Sequence, residues 1–325
     1  MTRHVQFLAP LVCGATSFLL ILLLLRTGAA RVLLDQPNPR SLHAAATPRI
    51  GGLGIMGGFL VAAAAFGLYD YRWLAPTALV LAVSVLEDWR SVAAAWRLAA
   101  HLVAAGIFAW FVLREPGPLW FTIAVLAVAW MTNLYNFMDG ADGLAGGMAV
   151  AGFGSYGVAA GIGGDAAFAA LNFSLAAAAA AFLVFNFHPA RTFMGDAGSI
   201  PLGFLAAAFG ILGWQRGMWP AWFPVLVFSP FILDASVTLA KRLLRGEKIW
   251  QAHREHYYQR LIQAGWGHRR TALAEYGLMA ACAIAALAGL GLTPQGQLAL
   301  LTAAALAYGA LLAGVESFLT KRGVR

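Results

Sequence analysis

The sequence predicts an all-α protein that crosses a membrane many times, and three observations support this fold class. Of the 325 residues, 61% are hydrophobic and only 11% are charged. The mean hydropathy is +0.72. Apolar runs of about 15–22 residues, close to the length that spans a bilayer as a helix, recur along the chain. A soluble domain of this length needs far more charge to cover its surface, so we predict a single integral-membrane domain over residues 1–325.

Eleven apolar segments are predicted to form transmembrane helices, and prolines such as Pro116, Pro118 and Pro220 stand in the breaks between them. The predicted segments are 5–25, 50–69, 74–86, 95–113, 119–135, 144–162, 166–186, 199–214, 220–239, 272–292 and 296–315. The first segment is an apolar stretch that follows Arg3, and in this respect it resembles a signal peptide. It is long enough to span the membrane, however, and no small-residue cleavage site follows it. We therefore expect it to be retained as the first helix.

The distribution of basic residues predicts the orientation of the helices. If the N-terminus is periplasmic, only Arg3, Arg72, Arg114 and Arg216 fall outside, and the other 18 of the 22 Lys and Arg fall inside. This asymmetry predicts a multi-pass membrane protein with a cytoplasmic C-terminus. It also accounts for the formal net charge of +8 without a nucleic-acid partner.

Polar residues that could carry chemistry gather in five clusters, and the predicted topology places all five on the cytoplasmic side. The clusters are Asp35 to Gly52 with Arg40, His43 and Arg49; Glu87, Asp88 and Arg97; Asn133, Asn136, Asp139 and Asp142; Asn186 with Phe193 to Ser199; and His253 to His256. Most of these residues lie in the predicted cytoplasmic loops 26–49, 87–97, 136–144, 187–199 and 240–271, and Gly52, Asn133 and Asn186 lie at the adjoining ends of predicted helices. An active site that faces the cytoplasm is therefore expected.

The carboxylates of these clusters indicate a metal site. Charged groups are costly at the membrane boundary, and carboxylate and amide oxygens suit Mg²⁺ or Mn²⁺ better than zinc. Asp139 and Asp142 are three residues apart and would face the same way on a helical turn. Arg97, Arg191 and Arg254 could hold phosphate oxygens. Together these groups predict a site for a phosphorylated anion.

Other interpretations account for the clusters less well. A single acid at a helix end is usually a cap or an anchor, and the His253–His256 loop alone could be solvated surface. The order His-Arg-Glu-His is not a zinc-protease motif. An intramembrane aspartyl protease that paired Asp139 with Asp196 would leave the arginines without a role. A secondary transporter for an anionic solute stays as the alternative, although no inverted repeat is visible and the clusters lie on one face.

Two motifs of this chain resemble those of a known family. NLYNFMDGADGLAGG and FMGDAGS, in this order and spacing, are similar to the motifs of the polyprenyl-phosphate N-acetylhexosamine-1-phosphate transferase superfamily, of the glycosyltransferase family 4 type. The resemblance spans about Asp35 to His268. The loop KRLLRGEKIWQAHREHYYQRL looks like that of the O-antigen-initiating subgroup and does not match the loop of the peptidoglycan pentapeptide translocase.

The resemblance implies roles for individual residues. Asp196 and Asn136 match the metal-binding positions. Glu87 and Asp88 match an acidic pair that serves the lipid phosphate, although the family usually has Asp-Asp there, so which acid acts as the base stays open. Asp139 and Asp142 match aspartates near the nucleotide, with Asp139 counted among the catalytic residues. The remaining matches are substrate-binding positions, namely Phe193 beside the uracil and Arg97, His253, Arg254 and His256 near the diphosphate and sugar.

The resemblance also implies an activity. We expect a Mg²⁺- or Mn²⁺-dependent enzyme that transfers an N-acetylhexosamine-1-phosphate from a UDP-sugar to undecaprenyl or another polyprenyl phosphate. UMP would be released, and the product would initiate a cell-surface polysaccharide such as O-antigen. The resemblance also implies that the protein is a multi-pass protein of the bacterial inner membrane with its active site facing the cytoplasm. The partners expected are the polyprenyl phosphate lipid, a UDP-N-acetylhexosamine and the membrane, with no nucleic acid, and a homodimer is left open as the assembly. Single displacement is preferred over a covalent aspartyl-phosphate.

Overall fold

The protein is a bundle of membrane-length helices. The computed structural model describes residues 7–37, 42, 45–113, 117–248, 251 and 253–324. The helices in these ranges are α1 (Leu8–Arg26), α2 (Ala29–Val32), α3 (Gly51–Ala65), α4 (Tyr71–Trp89), α5 (Ala94–Val112), α6 (Pro118–Phe137), α7 (Leu144–Ile162), α8 (Ala166–Asn186), α9 (Asp196–Gln215), α10 (Trp222–Val227), α11 (Ser229–Leu244), α12 (Tyr257–Leu261), α13 (Gly267–Gly289) and α14 (Pro294–Lys321). A π-helical turn, Ile262–Trp266, joins α12 to α13. Strands β1 (Leu34–Asp35) and β2 (Thr47–Pro48) pair antiparallel.

The all-α polytopic prediction is confirmed. Within the described residues, eight helical spans are long and apolar enough to cross a membrane: α1, α5, α6, α7, α8, α9, the continuous run Tyr257–Gly289 and α14. In lipid the backbone polar groups must be satisfied within the segment, and a helix does this residue by residue. The hydropathy pattern is therefore sufficient to predict these elements.

Each of the other three predicted segments also overlaps a helix, but none meets the same length and hydropathy requirements. Helix α3 has only 15 residues, and α4 ends in the acidic pair Glu87 and Asp88. The segment predicted over 220–239 is divided into α10 and α11, which meet at Phe228. Pro230 in the first turn of α11 is compatible with this break, because proline has no amide proton to donate. The count of eleven spans and the orientation of the termini stay predictions.

Helix α9 is the central element. Its membrane-length window is 83% buried, whereas that of α14 is 0% buried. Helices α3, α4, α6 and α7 pack against it. The N-terminus of α9 therefore lies where the ends of several helices meet, which is a place where side chains from distant parts of the sequence can come together.

The N-termini of α3 and α9 approach each other at two glycines. A Cβ added to Gly52 would lie 2.2 Å from the backbone nitrogen of Gly198, and one added to Gly198 would lie 2.7 Å from the Cα of Gly52. Such distances are too short for any larger side chain. The two glycines thus allow the helix starts to pack backbone against backbone.

Candidate active site

Asp196, the first residue of α9, lies at the centre of a polar cluster. Its Oδ1 accepts a hydrogen bond from the Asn136 amide at 2.9 Å, and the same amide donates to the Ser199 hydroxyl at 2.8 Å. The Arg97 guanidinium lies 3.2 Å from the Asp196 carboxylate and 3.3 Å from Glu87. Three of the predicted clusters therefore meet at the start of α9.

The carboxylate of Asp88 contacts the same helix start from the end of α4. Its two oxygens accept hydrogen bonds from the backbone amides of Asp196, at 3.0 Å, and Ala197, at 2.8 Å. The first amides of a helix lack partners within the helix, and the helix dipole favours a negative charge there. Gly195 makes room for this contact: its φ is +71°, and an added Cβ would lie 2.8 Å from an Asp88 oxygen. Asp88 is thus an acceptor for the helix that carries Asp196.

Backbone hydrogen bonds join the loop before α9 to the loop before α3. The amides of Gly51 and Gly52 donate to the carbonyls of Phe193, at 2.9 Å, and Met194, at 2.8 Å. The amide of Phe193 donates to the Pro48 carbonyl at 2.8 Å. Phe193 is therefore fixed through its main chain, and its side chain is partly exposed. This pairing brings two predicted clusters, near Arg49 and near Phe193, into one structure.

Asp139 completes a group of three acids. It follows α6, and burial raises its pKa well above the ordinary range, with the negative charges of Asp196 and Asp88 adding to the effect. The positive charge of Arg49 opposes this shift. Like charges held close together in a poorly solvated place destabilise one another, so Asp88, Asp139 and Asp196 form a site that a bound cation would stabilise.

Asp142 has different neighbours from Asp139. Its carboxylate lies 2.6 Å from Nδ1 of His188 and 3.4 Å from Nδ1 of His268, and it accepts a hydrogen bond from the Ala190 amide at 3.2 Å. The expectation that Asp139 and Asp142 face the same way on a helical turn is wrong, because the chain between α6 and α7 is not helical. His188 and His268 were not among the predicted site residues.

The basic loop is attached to the bundle by Asp234 of α11. This carboxylate accepts hydrogen bonds from the amides of Tyr257, at 2.8 Å, and Tyr258, at 3.0 Å. The Tyr258 hydroxyl donates to the Phe137 carbonyl at 2.9 Å. The loop therefore lies against the last residue of α6, one residue after Asn136.

The two histidines of the loop lie beside α6 as well. His256 is buried and stacks on Phe137, with ring centroids 6.2 Å apart, and His253 lies 4.8 Å from His256. Burial lowers the pKa of His253 to about 4, and His256 adds to this shift, so His253 is neutral near pH 7. Arg254, between them, is exposed.

The structure thus sorts the predicted site residues into groups. Glu87, Asp88, Arg97, Asn136, Asp139 and Asp196 are brought together at the start of α9. His253 and His256 lie beside Phe137, and Asp142 lies with His188 and His268. Arg40 and His43 lie outside the described residues.

The histidine partners of Asp142 had little signal in the sequence. His268 is 126 positions from Asp142 and His188 is 46 positions from it. His188 does stand within the predicted loop 187–199, and His268 stands within 240–271. The sequence pattern contains nothing that pairs either histidine with Asp142 across these distances.

Comparison with known proteins gives a consistent result. Residues 71–214 match the family model described as glycosyl transferase family 4. The chain is 29% identical to the probable undecaprenyl-phosphate N-acetylglucosaminyl 1-phosphate transferase of Bacillus subtilis, over 84% of this chain and 82% of that protein. It is 32% identical to the phospho-N-acetylmuramoyl-pentapeptide-transferase of a Synechococcus strain, over 80% of this chain and 84% of that protein. It is 25% identical to the undecaprenyl-phosphate alpha-N-acetylglucosaminyl 1-phosphate transferase of Escherichia coli, over 73% of this chain and 71% of that protein.

The matched region 71–214 runs from α4 to α9 and contains the residues gathered around Asp196. The match to the Synechococcus protein extends well beyond it, over 80% of the chain. The chain therefore belongs to glycosyl transferase family 4, the superfamily of polyprenyl-phosphate N-acetylhexosamine-1-phosphate transferases.

Proposed function

We propose that this protein transfers an N-acetylhexosamine-1-phosphate from a UDP-sugar to undecaprenyl or another polyprenyl phosphate, releases UMP and so initiates a cell-surface polysaccharide such as O-antigen. The observation that supports it best is the group of three acids and two arginines at the start of α9. Arg97 lies 3.2 Å from Asp196, and the positive charge of Arg49 favours the ionised forms of Asp139 and Asp88. Such a group suits a multiply charged phosphate ligand together with a cation.

The side chains at the start of α9 fit a hard divalent cation. The donors Asp196, Asp139 and Asn136 offer only oxygen atoms to a metal, which suits Mg²⁺ or Mn²⁺, and the mutual repulsion of the acids would be relieved by a double positive charge. We propose that Asp196 and Asn136 hold the ion, and that the Asn136 amide, whose nitrogen donates to Asp196 in this structure, rotates to present its oxygen to the metal. A cation bound there would neutralise charge on the diphosphate during transfer.

The acidic pair at the end of α4 is proposed to serve the lipid phosphate. Asp88 already accepts two backbone hydrogen bonds, and Glu87 accepts one from the Val92 amide and lies 3.3 Å from Arg97. A phosphate monoester is mostly dianionic at pH 7, because its second pKa is near 6. A strong base is then unnecessary, and these contacts support an orienting role for the pair.

The proposed reaction is a single displacement. An oxygen of the lipid phosphate attacks the phosphorus next to the sugar, the bond from that phosphorus to the oxygen of UMP breaks, and UMP leaves with the bonding electrons. The product is polyprenyl-diphospho-N-acetylhexosamine. Arg97 would bind the diphosphate, His253, Arg254 and His256 would lie near the diphosphate and sugar, and Asp142 and Phe193 would lie near the nucleotide.

An apolar cavity supports a lipid acceptor. It has a volume of about 810 Å³ and is lined by residues from Gly117, just before α6, to Leu134 within it, together with Ile211 of α9 and Phe228. The inner end at Leu134 is two residues from Asn136. We propose that this cavity receives part of the isoprenoid chain, so that the phosphate reaches the polar cluster from within the membrane.

The transporter alternative is not supported, because the three relatives described above are transferases. The helical membrane bundle and the bacterial relatives favour the bacterial inner membrane. A cytoplasmic position of the active site follows from the charge distribution and stays part of the proposal. A homodimer stays a prediction.

The test is UMP release by the purified full-length protein with Mg²⁺. UDP-N-acetylglucosamine and its deoxy and epimeric analogues are compared, each with and without undecaprenyl phosphate. We expect UMP only when both substrates are present, with one UDP-sugar preferred, and a lipid product that contains the hexosamine. No UMP with any UDP-N-acetylhexosamine in the presence of the lipid would contradict the proposal, and UMP without the lipid would indicate hydrolysis.

A further inference from the structure

We infer that Asp142, His188 and His268 form a second cation site, selective for a transition metal such as Zn²⁺ and separate from the oxygen-rich group at Asp196. The three residues come from three connections of the bundle: the turn before α7, the loop after α8 and the start of α13. One donor atom of each lies within 4.8 Å of the other two. The three donor atoms are thus close enough to share one ion after a local adjustment.

The distances suit a tetrahedral site after one small movement. Ligands of Zn²⁺ at about 2.0–2.2 Å lie roughly 3.4 Å from one another in a tetrahedron. Asp142 Oδ1 and His268 Nδ1 are already 3.4 Å apart. His188 Nδ1 lies 2.6 Å from the other carboxylate oxygen, Oδ2, and donates its proton to it. Metal binding therefore requires that this proton be released and that the ring shift to the spacing of a tetrahedral site. The His188 side chain is 41% exposed, so it has room to do so.

The hydrogen bonds of His268 fit a metal ligand. Its Nε2 lies 3.3 Å from the Leu42 carbonyl, which can only accept, so Nε2 carries the proton. The Nδ1 lone pair is then available, and in this structure it accepts a hydrogen bond from the Asp142 amide at 3.2 Å. A histidine that binds metal commonly donates its other ring N–H to a carbonyl in this way. The outer contact therefore orients the donor atom toward Asp142.

The donor set determines which metal would bind. Two imidazoles and one carboxylate are a common Zn²⁺ set with an open fourth position, and imidazole donors favour zinc and its neighbours over Mg²⁺. The group at Asp196 offers only oxygen donors and should have the opposite preference. The two sites can therefore be distinguished by the choice of metal.

The position of the three ligands in the bundle suggests the effect that a bound zinc ion would have. Asp142 lies between α6 and α7, His188 follows α8, and His268 contacts Leu42 in the connection between β1 and β2. An ion bound to all three would join segments that surround the start of α9. Zinc binding is thus expected to stiffen these connections and to raise the thermal stability of the protein.

The test uses the full-length protein, freed of metal by chelation and titrated with Zn²⁺ against a chromophoric chelator. We expect one tight equivalent in the wild type. His188→Gln and His268→Gln should each weaken binding by at least about 10-fold, and the double variant should lose it. Asp196→Asn and His253→Gln are the matched controls, and each should still bind one tight equivalent of Zn²⁺. The unfolding temperature should rise with Zn²⁺ in the wild type and not in the double variant.

Two outcomes would overturn the inference. One is a wild type with no tight Zn²⁺ equivalent, which would make the cluster an Asp–His hydrogen-bond group only. The other is an equivalent that persists in the double variant, which would place the zinc elsewhere. His188→Gln changes an exposed side chain and should fold normally, so a folding defect in His268→Gln leaves the test intact. The readouts are metal binding and unfolding temperature, so failure of the proposed transferase activity would not affect them.

Discussion

The carboxylate of Asp88 accepts a hydrogen bond from the backbone amide of Asp196, at 3.0 Å, and a second from Ala197. One acid of the candidate site therefore holds the start of the helix that presents another. This relationship gives Asp88 two separable contributions, one to the position of α9 and one to the charge offered to substrates.

Asp88→Asn is expected to reduce turnover severely, by about 10²-fold. Asparagine keeps one acceptor oxygen and turns an amide group toward a backbone N–H, so a stability loss of about 1–3 kcal/mol should accompany it. The measurement is the initial rate at saturating lipid and UDP-sugar, together with the unfolding temperature. Asp165→Asn is the control, because Asp165 caps α8 through the Phe168 amide far from Asp196 and should leave the rate unchanged.

Glu87 tests the other half of the acidic pair. Glu87→Asp should be tolerated, because it restores the usual Asp-Asp pair of the superfamily. Glu87→Gln removes the negative charge of the side chain and keeps its size, so it tests the charge alone. If Glu87→Gln is inactive while Asp88→Asn is not, Glu87 is the working acid and the roles are exchanged. Near wild-type rates in both neutral variants would mean that the pair only anchors α4 and its neighbours.

Asp196→Asn should abolish turnover, since a single well-placed charge commonly contributes on the order of 10²–10³ in rate. EDTA should do the same to the wild type, and added Mg²⁺ or Mn²⁺ should restore it. The variant should fold, because the Asn136 amide and the backbone contacts of Asp88 do not require the charge. Full activity in EDTA would refute a metal-dependent mechanism.

Gly52→Ala should destabilise the protein, because the added methyl group would lie 2.2 Å from the backbone nitrogen of Gly198. Backbone cannot rotate aside as a flexible side chain can, so α3 and α9 must separate, and the activity should fall with the stability. Gly154→Ala is the matched control within a helix, because nothing lies within 4 Å of its added Cβ. Equal unfolding temperatures for the two variants would show that the close approach is not needed.

Glu316 of α14 is expected to hold the basic loop in place. It accepts hydrogen bonds from the Arg260 guanidinium at 2.9 and 3.0 Å and from the Lys241 ammonium group. Glu316→Gln leaves these cations partly unpaired, at a cost of about 1–3 kcal/mol. We expect faster proteolysis of residues 245–256 and a higher KM for the UDP-sugar.

Glu247→Gln is the control for Glu316. Glu247 pairs with Arg242 and Arg245, but both arginines keep Glu255 as a partner when Glu247 is neutralised, so proteolysis and KM should barely change. If Glu316→Gln behaves like Glu247→Gln in both measurements, α14 does not position the loop.

The orientation can be checked with reporters fused after Gly246 and near Gly163. The described chain between these points contains α8, α9 and the broken pair α10 and α11, so the two positions lie at opposite ends of the bundle. The basic residues predict that the first fusion reads cytoplasmic and the second periplasmic. The reverse pattern would place the Asp196 group outside and would contradict a cytoplasmic UDP-sugar as donor.

The sequence by itself determined the membrane-spanning helices and the positions of the polar clusters. Both follow from local rules, because an apolar run of bilayer length must satisfy its own backbone and charges collect at its ends. Each of the eleven predicted segments overlaps an observed helix, including the pair divided at Phe228. The motif around Asp196 was likewise sufficient to indicate the family that the comparisons show.

Only the tertiary structure decided which groups face one another. Asp88 has the backbone amides of Asp196 and Ala197 as partners, and Asp142 has His188 and His268. The partners in these two sets are 46 to 126 positions apart along the chain. Spacing rules reach only across one helical turn, and they were wrong for Asp139 and Asp142 because the chain there leaves the helix. Partners at such distances are set by how α4, α6 and α9 pack, which no local pattern in the sequence specifies.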